Sequence, residues 1–493
     1  MTTDTSNTIF QKAVSFVNQT NRHLFITGKA GTGKTTFLKY IKEHSFKKMA
    51  IVAPTGVAAI NAGGVTIHSF FQLPFGPFIP TDNAPWGGFG GEINNRSSLV
   101  KNLRLPGAKR QVIQELDLLV IDEVSMVRAD LLDEIDTVMR FVRKQPLIPF
   151  GGVQMVYIGD LFQLPPVIKN EEWDLLREYY KSPFFFDAQV LKVVPPLYLE
   201  LKKIYRQKDD VFINILNNIR NNSCKPEDLQ LLDEYYNPNF SPAENDNFIT
   251  LTSHNNKADT INQRELEKLP GKVFTFPAKI TGEFSDRAFP ADKDLMLKVG
   301  AQIMFLKNDK GEYRKFYNGK IGTVKRIEPE KISIVFPGEE DELELALETW
   351  ENIRYNYKSE NDSLEEEQLG TFSQFPIRLA WAITIHKSQG LTFSKAVIDA
   401  GASFAPGQVY VSLSRLTGLQ GLVLHSRILP QSISTDNRVV EFVKQEIAED
   451  ALERTLQQEQ KVYVRQSLLQ SFTWQKMADT VNENLENYDH RVI

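Results

Sequence analysis

The sequence predicts an α/β protein in which helices cover parallel sheets, and three observations support this prediction. Short apolar runs of four to five residues alternate with helical patterns up to residue 158, and the same texture resumes after residue 370. Runs of this kind are typical of strands buried on both faces of a parallel sheet. Residues 271–370 change to strand-like segments with a turn signal at Asn318-Gly319, which predicts a smaller β-rich domain.

The individual elements follow from the apolar periodicity and from the residues that interrupt it. A second unit begins near Tyr198, and the segment after residue 436 is helical, charged and weakly amphipathic. The predicted elements are helices at 9–20, 34–44, 130–143 and 208–222, and strands at 24–27, 49–53, 118–121, 154–158, 248–252, 299–305 and 321–336.

Length and composition exclude several classes of protein. The chain has 493 residues, 42% hydrophobic and 24% charged, which excludes a disordered or collagenous chain and allows about three domains. A single cysteine, Cys224, excludes an internal disulfide framework and a cysteine-rich zinc site. No apolar run approaches the roughly 18–20 residues that cross a bilayer. The first residues resemble neither a secretory signal nor a transit peptide, so we expect a cytoplasmic protein without a membrane partner.

The net charge of −5 is unevenly distributed along the chain. Residues 331–370 carry a net charge of −9 and residues 441–493 carry −4, which leaves +8 on the rest. The body of the protein is therefore basic enough to bind a polyanion, although this charge does not prove that it does.

Residues 28–35, GKAGTGKT, satisfy the phosphate-loop pattern between a predicted strand and a predicted helix. Glycines allow backbone N–H groups to converge on phosphate oxygens, and the helix N-terminus adds positive potential. Lys34 would reach the β- and γ-phosphates, and the Thr35 hydroxyl would coordinate Mg²⁺. The alternative is a plain glycine-rich turn. ATP and Mg²⁺ are therefore the predicted cofactors.

Two further strand ends carry polar residues that suit ATP hydrolysis. Asp122 and Glu123 follow an apolar strand, where Asp122 would hold Mg²⁺ and Glu123 would polarise the attacking water. Gln163 follows another strand, within residues 159–166, GDLFQLPP, and would sense the γ-phosphate through its amide. The alternatives are a solvated acidic pair and a turn closed by two prolines.

These segments and several later ones resemble the motifs of superfamily 1B helicases, in the order that the superfamily has them. The segment at 128–154 is similar to one typical of the Pif (petite integration frequency) helicases, whose relatives include RecD and Dda, and the likeness spans about residues 9–430. The remaining segments that carry the resemblance are 53–59 (APTGVAA), 64–70 (GVTIHSF), 201–207 (LKKIYRQ), 380–392 (AWAITIHKSQGLT) and 409–415 (VYVSLSR).

The resemblance implies two RecA-like domains with ATP bound between them. The first would cover residues 1–195, with a wedge insertion at 72–110, and the second would combine 196–270 with 370–435. An SH3-like β-rich domain would occupy 271–369, and a helical extension would cover 436–493.

The resemblance also implies roles for individual residues. Arg206 and Arg415 would face the γ-phosphate from the second domain, and Gln11 would read adenine; structural ion pairs and an exposed helix glutamine are the alternatives. Lys34, Glu123 and Gln163 complete the predicted catalytic set. The predicted cofactor contacts are Gln11, Gly28, Gly31, Thr32, Gly33, Lys34, Thr35, Thr36, Asp122 and Gly390, and the predicted DNA contacts are Thr55, Gly56, Thr66, His68, Thr384, His386 and Lys387.

Aromatic residues offer a second kind of DNA contact. Phe70 and Phe71 suit stacking on bases or packing in a core. The segment at 72–110 carries Phe75, Phe78, Trp86 and Phe89. These aromatic residues would allow the segment to stack on a duplex fork and separate its strands; the alternative is an ordinary surface loop.

The function that the resemblance implies is an ATP- and Mg²⁺-dependent helicase that moves 5′ to 3′ on single-stranded DNA. It would act as a monomer on forked duplex, with G-quadruplex and RNA–DNA hybrids as further substrates in genome maintenance. The rival interpretations are an RNA-directed helicase of the same superfamily, an ATP-switched clamp that binds single strands without unwinding, and a phosphate-loop kinase.

Overall fold

The chain folds into two α/β units joined to one β-rich unit, which confirms the predicted fold class. Among the residues described below, no helix combines the length and the apolar content that crossing a membrane requires. The computed structural model describes residues 7–82, 93–203, 209–242, 246–309, 315–328, 331–339, 341–399, 407–433, 435–445, 449–472, 474, 478, 481 and 485.

The first α/β unit, within residues 7–203, is built on a six-stranded sheet in which every neighbouring pair is parallel. Its strands are β1 (Leu24–Gly28), β2 (Met49–Ala53), β3 (Val65–Thr66), β6 (Leu118–Ile121), β7 (Gln154–Ile158) and β8 (Leu197–Leu201), and a separate pair consists of β4 (Phe78–Ile79) and β5 (Asn94–Asn95). The sheet order is β3-β2-β6-β7-β1-β8. Strand β8 therefore lies in the first sheet, just beyond the predicted domain boundary at residue 195.

Helices cover both faces of this sheet because its strands are apolar on both sides. In β1, Leu24 and Ile26 pack into one core cluster, and Phe25 packs into the cluster on the opposite face. The helices of the unit are α1 (Thr8–Gln19), α2 (Lys34–His44), α3 (Gly56–Ala62), α4 (Ile67–Phe71), α5 (Arg96–Asn102), α6 (Gly107–Glu115), α7 (Ala129–Val142), α8 (Asn170–Leu176) and α9 (Gln189–Val193).

The second α/β unit has a four-stranded parallel sheet whose strands come from two distant parts of the chain. Its strands are β9 (Ile249–Thr252), β20 (Ala382–Thr384), β21 (Ala396–Ile398) and β22 (Leu422–Leu424), in the order β20-β9-β21-β22. Its helices are α10 (Asp210–Arg220), α11 (Pro226–Asp233), α12 (Asn255–Lys268) and α13 (Gln408–Leu413). Helix α14 (Asn437–Val443) follows this unit in the chain and packs on the first one, where the Phe442 ring stacks on Phe186 with centroids 4.4 Å apart.

The β-rich unit is inserted between α12 and β20 and consists of antiparallel sheets. Its longest hairpin reaches the first α/β unit, where the Tyr355 hydroxyl accepts a hydrogen bond from the Ile51 amide at 3.2 Å. The strands are β10 (Phe274–Pro277), β11 (Lys279–Gly282), β12 (Asp294–Leu297), β13 (Gln302–Phe305), β14 (Ile321–Glu328), β15 (Lys331–Val335), β16 (Glu342–Leu345), β17 (Glu348–Lys358), β18 (Ser363–Gln374) and β19 (Ile377–Leu379).

The long helix α15 (Glu449–Ser471) returns to the first α/β unit and packs against α1. Leu452 and Leu456 are buried in the same core cluster as Phe16, and Glu453 pairs with Lys12 at 3.4 Å. The predicted helical extension therefore docks beside the amino-terminal helix over its first turns.

Burial of His23 predicts a loss of stability in acid. His23 is 7% exposed, and its Nδ1 atom accepts a hydrogen bond from the Met155 amide at 3.1 Å. Burial, with a smaller contribution from Arg22, lowers its pKa to about 4. Between pH 6.5 and 4 the unfolded chain therefore binds a proton that the folded chain does not, so the free energy of unfolding falls by up to about 3 kcal/mol. Urea titrations at pH 7 and pH 4 should show that His23→Gln loses less stability over this interval than the wild type; equal losses would contradict the prediction.

Candidate nucleotide site and nucleic-acid interface

The glycine-rich turn between β1 and α2 has the backbone geometry that a phosphate-binding loop requires. Gly31 and Gly33 adopt φ angles of 83° and 91°, which L side chains rarely reach, and α2 begins directly at Lys34. The first amides of a helix lack acceptors within the helix and favour an anion. The Lys34 ammonium donates to the carbonyl oxygens of Gly28 and Lys29 at 2.6 and 3.1 Å, which holds the cation against the loop.

Three threonines of the loop differ in their surroundings. Thr32 is buried, and its hydroxyl donates to the Lys29 carbonyl at 2.9 Å, so it closes the turn from within. Thr35 and Thr36 are exposed on the first turn of α2. Their hydroxyls are therefore accessible to a ligand, and a hydroxyl oxygen is a suitable donor for a hard cation such as Mg²⁺.

Asp122 and Glu123 directly follow β6 at its carboxyl end. In the sheet, one strand, β7, separates β6 from β1, the strand that leads into the loop. Burial, and secondarily the neighbouring Glu123 carboxylate, raises the pKa of Asp122 to about 7, while Lys34 acts in the opposite direction. Burial also raises the pKa of Glu123, against the attraction of Lys34 and Arg415. Two crowded, desolvated carboxyls fit Mg²⁺, because a bound cation would offset both their desolvation and their repulsion.

Glu123 also has a strained backbone, with φ 51° and ψ 43° in the left-handed region. Such a conformation costs on the order of 1–3 kcal/mol in a non-glycine residue and persists only where the surroundings impose it. Lys34 and Arg415, from different α/β units, are both close enough to affect its pKa. Cations from both units therefore favour the ionised form of this carboxyl group.

Gln163 lies in the loop after β7 and is 8% exposed. Its side-chain amide donates to the Asp160 carboxylate at 3.3 Å. A Cβ atom on Gly407, at the start of α13, would lie only 2.4 Å from the Gln163 carbonyl oxygen. The loop therefore touches the second α/β unit directly.

Arg415 follows α13 and is 2% exposed. Its Nε donates to the Val411 carbonyl at 3.0 Å, and its Nη2 donates to the Ser414 hydroxyl at 3.0 Å. Burial lowers the pKa of the guanidinium, whereas Tyr410, Glu123 and Asp160 act in the opposite direction. A buried cation from the second unit thus acts on the acidic groups of the first.

For three residues predicted to bind the cofactor or to take part in catalysis, the part of the chain that the structure describes gives no contact that bears on the predicted role. Gln11 is half-buried on the first turn of α1, and Gly390 is exposed with a φ angle of 76°. Arg206 lies outside the described residues, so its predicted role is not examined by the structure.

The residues predicted to contact DNA lie at the carboxyl edges of the two sheets. In the first unit, the hydroxyls of Thr55 and Thr66 cap α3 and α4, and Gly56 begins α3. His68 stacks on Phe75 with ring centroids 5.0 Å apart, and burial lowers its pKa. Strands β2 and β3 lie on the far side of β6 and β7 from the phosphate loop, so these residues are separated from Lys34 along the edge.

In the second unit, the predicted contacts surround the end of β20. Thr384 is buried and its hydroxyl accepts from the Lys387 amide at 3.4 Å, whereas His386 and Lys387 are exposed. Although the His386 side chain reaches solvent, partial desolvation of its ring lowers its pKa. The exposed pair therefore offers one ammonium and one imidazole to a polyanion.

The aromatic residues proposed for stacking are mostly in the core. Phe71 is fully buried and Phe70 is 6% exposed, so of the two interpretations core packing holds and base stacking is wrong. Phe78 is also fully buried, so it belongs neither to an exposed duplex-splitting tip nor to a surface loop. Phe75 is 72% exposed, while Trp86 and Phe89 lie outside the described residues.

Sequence reasoning missed a buried polar cluster beside the loop. Its members are Asp160, Tyr410 and Arg220, which come from β7's carboxyl end, α13 and the last turn of α10. Asp160 and Tyr410 lay inside segments already singled out, but their mutual contact depends on packing between units. An arginine buried at the end of an amphipathic helix was the available signal for Arg220.

Comparisons with known proteins agree with this geometry. The profile of the PIF1-like helicase family matches residues 1–230. The chain is 35% identical to the human ATP-dependent DNA helicase PIF1 over 85% of its own length and 60% of that protein, and 31% identical to Pif1 of Psychrobacter over 90% and 73%. It thus spans about 60% of the length of the first curated relatives that it matches.

Solved structures give the same result. Bacteroides Pif1 in complex with ADP-AlF4 matches with a TM-score of 0.79 at 39% identity, covering 89% of this chain and 96% of that one. The same protein bound to single-stranded DNA, covered at 90% and 97%, matches with a TM-score of 0.61. The extent of these matches shows that the chain belongs to the PIF1-like helicase family.

Proposed function

We propose that this chain is an ATP- and Mg²⁺-dependent DNA helicase that moves 5′ to 3′ on single-stranded DNA and unwinds forked duplex. The observation that carries the proposal is the contact between α13, which Arg415 follows, and the phosphate loop of the other unit, where the Tyr410 hydroxyl accepts a hydrogen bond from the Ala30 amide at 3.3 Å. A site shared between two units makes hydrolysis depend on how the units meet. A cycle of closing and opening can therefore move a strand bound across both units.

In this proposal, the phosphate loop and Lys34 bind the β- and γ-phosphates, and Thr35 with Asp122 holds Mg²⁺, which neutralises developing charge on the phosphates. Glu123 is proposed to orient the attacking water and to act as its general base. Arg415 stabilises the transition state, and Arg206 is proposed as its partner by family resemblance. Gln163 senses the γ-phosphate.

The DNA path is proposed to run along the carboxyl edges of both sheets, in the first unit on the strands farthest from the phosphate loop. Thr55, Gly56, Thr66 and His68 in the first unit, and His386 and Lys387 in the second, offer hydroxyl, amide and cationic donors that suit phosphate oxygens without reading sequence. The match to Bacteroides Pif1 bound to single-stranded DNA supports this partner. By family resemblance, the proposal extends to G-quadruplex substrates, genome maintenance and a monomeric, cytoplasmic form.

Strand displacement on tailed forks tests the function. We expect ATP-dependent unwinding of a DNA fork with a single 5′ tail, and at least about tenfold slower unwinding of the same fork with only a 3′ tail. Separating one base-pair step costs about 1.4 kcal/mol, well below the free energy of one ATP turnover. Faster unwinding of an RNA fork would favour an RNA-directed helicase, and ATPase activity without any unwinding would favour a single-strand clamp.

A further inference from the structure

Tyr410 connects the second α/β unit directly to the phosphate loop. It lies on α13 and is 4% exposed. Its hydroxyl accepts a hydrogen bond from the Ala30 amide at 3.3 Å and donates one to the Asp160 carboxylate at 3.3 Å. Ala30 belongs to the loop itself, next to Gly31, so one hydroxyl joins three segments of the nucleotide site.

Asp160 is in turn fixed by a buried arginine of the second unit. The Arg220 guanidinium lies 4.1 Å from the centre of the Phe162 ring, and its Nη2 is 3.6 Å from Asp160 and 3.2 Å from Glu200. Arg220 is 4% exposed, and among the described residues its Nε and Nη2 have no hydrogen-bond partner. Such a buried cation is stabilised chiefly by the two carboxylates, so it opposes any displacement of Asp160.

The position of Arg415 depends on α13. Both hydrogen bonds described for its guanidinium go to Val411 and Ser414, on α13 and directly after it. The side chain is therefore carried by α13 and is placed wherever that helix lies. At the other end of α13, Gly407 is in close contact with the Gln163 carbonyl oxygen. Tyr410 lies between these two ends and provides the polar contact to the phosphate loop.

We propose that Tyr410 is a positioning residue for ATP hydrolysis, which sets the placement of Arg415 by tying α13 to Ala30 and Asp160. Arg220 supports it by holding Asp160 in place. This inference rests on the role proposed above for Arg415. It assigns Tyr410 no contact with the reacting atoms; its effect is transmitted through the helix that carries the arginine.

Tyr410→Phe tests the proposal because phenylalanine keeps the ring and removes only the bridging hydroxyl. In the full chain with single-stranded DNA, we expect kcat for ATP to fall about tenfold, the loss that one hydrogen bond worth about 1.4 kcal/mol produces, while KM changes less than twofold. Tyr157→Phe is the matched control, because Tyr157 is buried on β7 and its hydroxyl has no hydrogen-bond partner in the described part of the chain. The control should keep kcat within twofold.

A second measurement separates positioning from simple loss of structure. If Tyr410 acts through Arg415, adding Tyr410→Phe to an Arg415→Ala chain should lower the residual turnover less than twofold. A further tenfold fall in that background, or an unchanged kcat in the single variant, would overturn the proposal. Asp160→Asn removes the charge that Arg220 holds, so it should also lower kcat with little change in KM; an unaffected kcat there would equally count against the bridge.

The same experiment distinguishes this inference from the proposed function. Lys34→Ala, measured in parallel, reports on the nucleotide site itself. An inactive Lys34→Ala chain together with an unaffected Tyr410→Phe chain would reject only the positioning role. Turnover that survives Lys34→Ala would reject the site on which both depend.

Discussion

Lys34→Ala is expected to lower ATP turnover by about 10²–10³-fold while single-strand binding stays within about twofold of wild type. The ammonium is the cation of the phosphate loop, held 2.6 Å from the Gly28 carbonyl, and alanine removes the charge that is proposed to bind the β- and γ-phosphates. The proposed DNA contacts begin at β2, three strands from β1 and roughly 14 Å away at ordinary strand spacing. Steady-state ATPase assays and fluorescence anisotropy with a labelled oligonucleotide measure the two effects.

Lys39→Ala provides the matched control for this prediction. Lys39 lies on the same helix, α2, but its side chain is exposed. The control should retain both turnover and DNA binding. If Lys34→Ala kept more than a tenth of the wild-type turnover, the assignment of the phosphate loop would be wrong.

The phosphate loop could be predicted because the residues of its sequence pattern determine its backbone conformation locally. Glycines at Gly31 and Gly33 allow the positive φ angles, and a strand before and a helix after them fix the setting locally. Asp122 and Glu123 could be predicted in the same way, because the carboxyl end of an apolar strand in a parallel sheet lies at the same edge as the loop. Short-range pattern was therefore sufficient for the first half of the site.

The polar bridge was not predictable, because it depends on which residues meet when two units pack. Tyr410 and Ala30 are 380 residues apart in sequence, and nothing near either residue indicates the contact. Composition also left base stacking and core packing open at Phe70 and Phe71, and the structure shows core packing there; Phe78, expected in a surface loop or a duplex-splitting tip, is a core residue as well. An apolar side chain has the same appearance in sequence whether it stacks on a base or packs under a helix.

The placement of α15 shows a similar limit. Its sequence predicts a helix but not the surface against which the helix packs. In the structure, Leu452 and Leu456 are buried against α1 of the first α/β unit and not against the second unit. The partial amphipathic pattern identifies a face to be covered and does not identify the covering surface.

Arg415→Ala is expected to lower kcat for DNA-stimulated ATP hydrolysis by about 10³-fold, with ATP affinity changed by less than about threefold. The guanidinium is buried just after α13, and α13 contacts Ala30 and Gln163 of the other unit, which places the charge near the contact between the units. A planar cation there counters the charge that spreads over the γ-phosphoryl oxygens in the transition state, more than it counters the charge of bound ATP. Single-turnover hydrolysis and equilibrium binding of a fluorescent nucleotide separate the two quantities.

A buried arginine can also be structural, so folding must be measured on the same samples. Arg415→Met keeps most of the volume and removes the charge, and it should hydrolyse ATP as slowly as Arg415→Ala while melting closer to the wild type. Arg128, which pairs with Asp130 and Glu172 inside the first unit, gives the opposite control: Arg128→Ala should melt earlier with kcat within about threefold. If Arg415→Met instead retained wild-type turnover, or if its activity fell only in proportion to the unfolded fraction, Arg415 would be a packing residue and the transition-state charge would need another source.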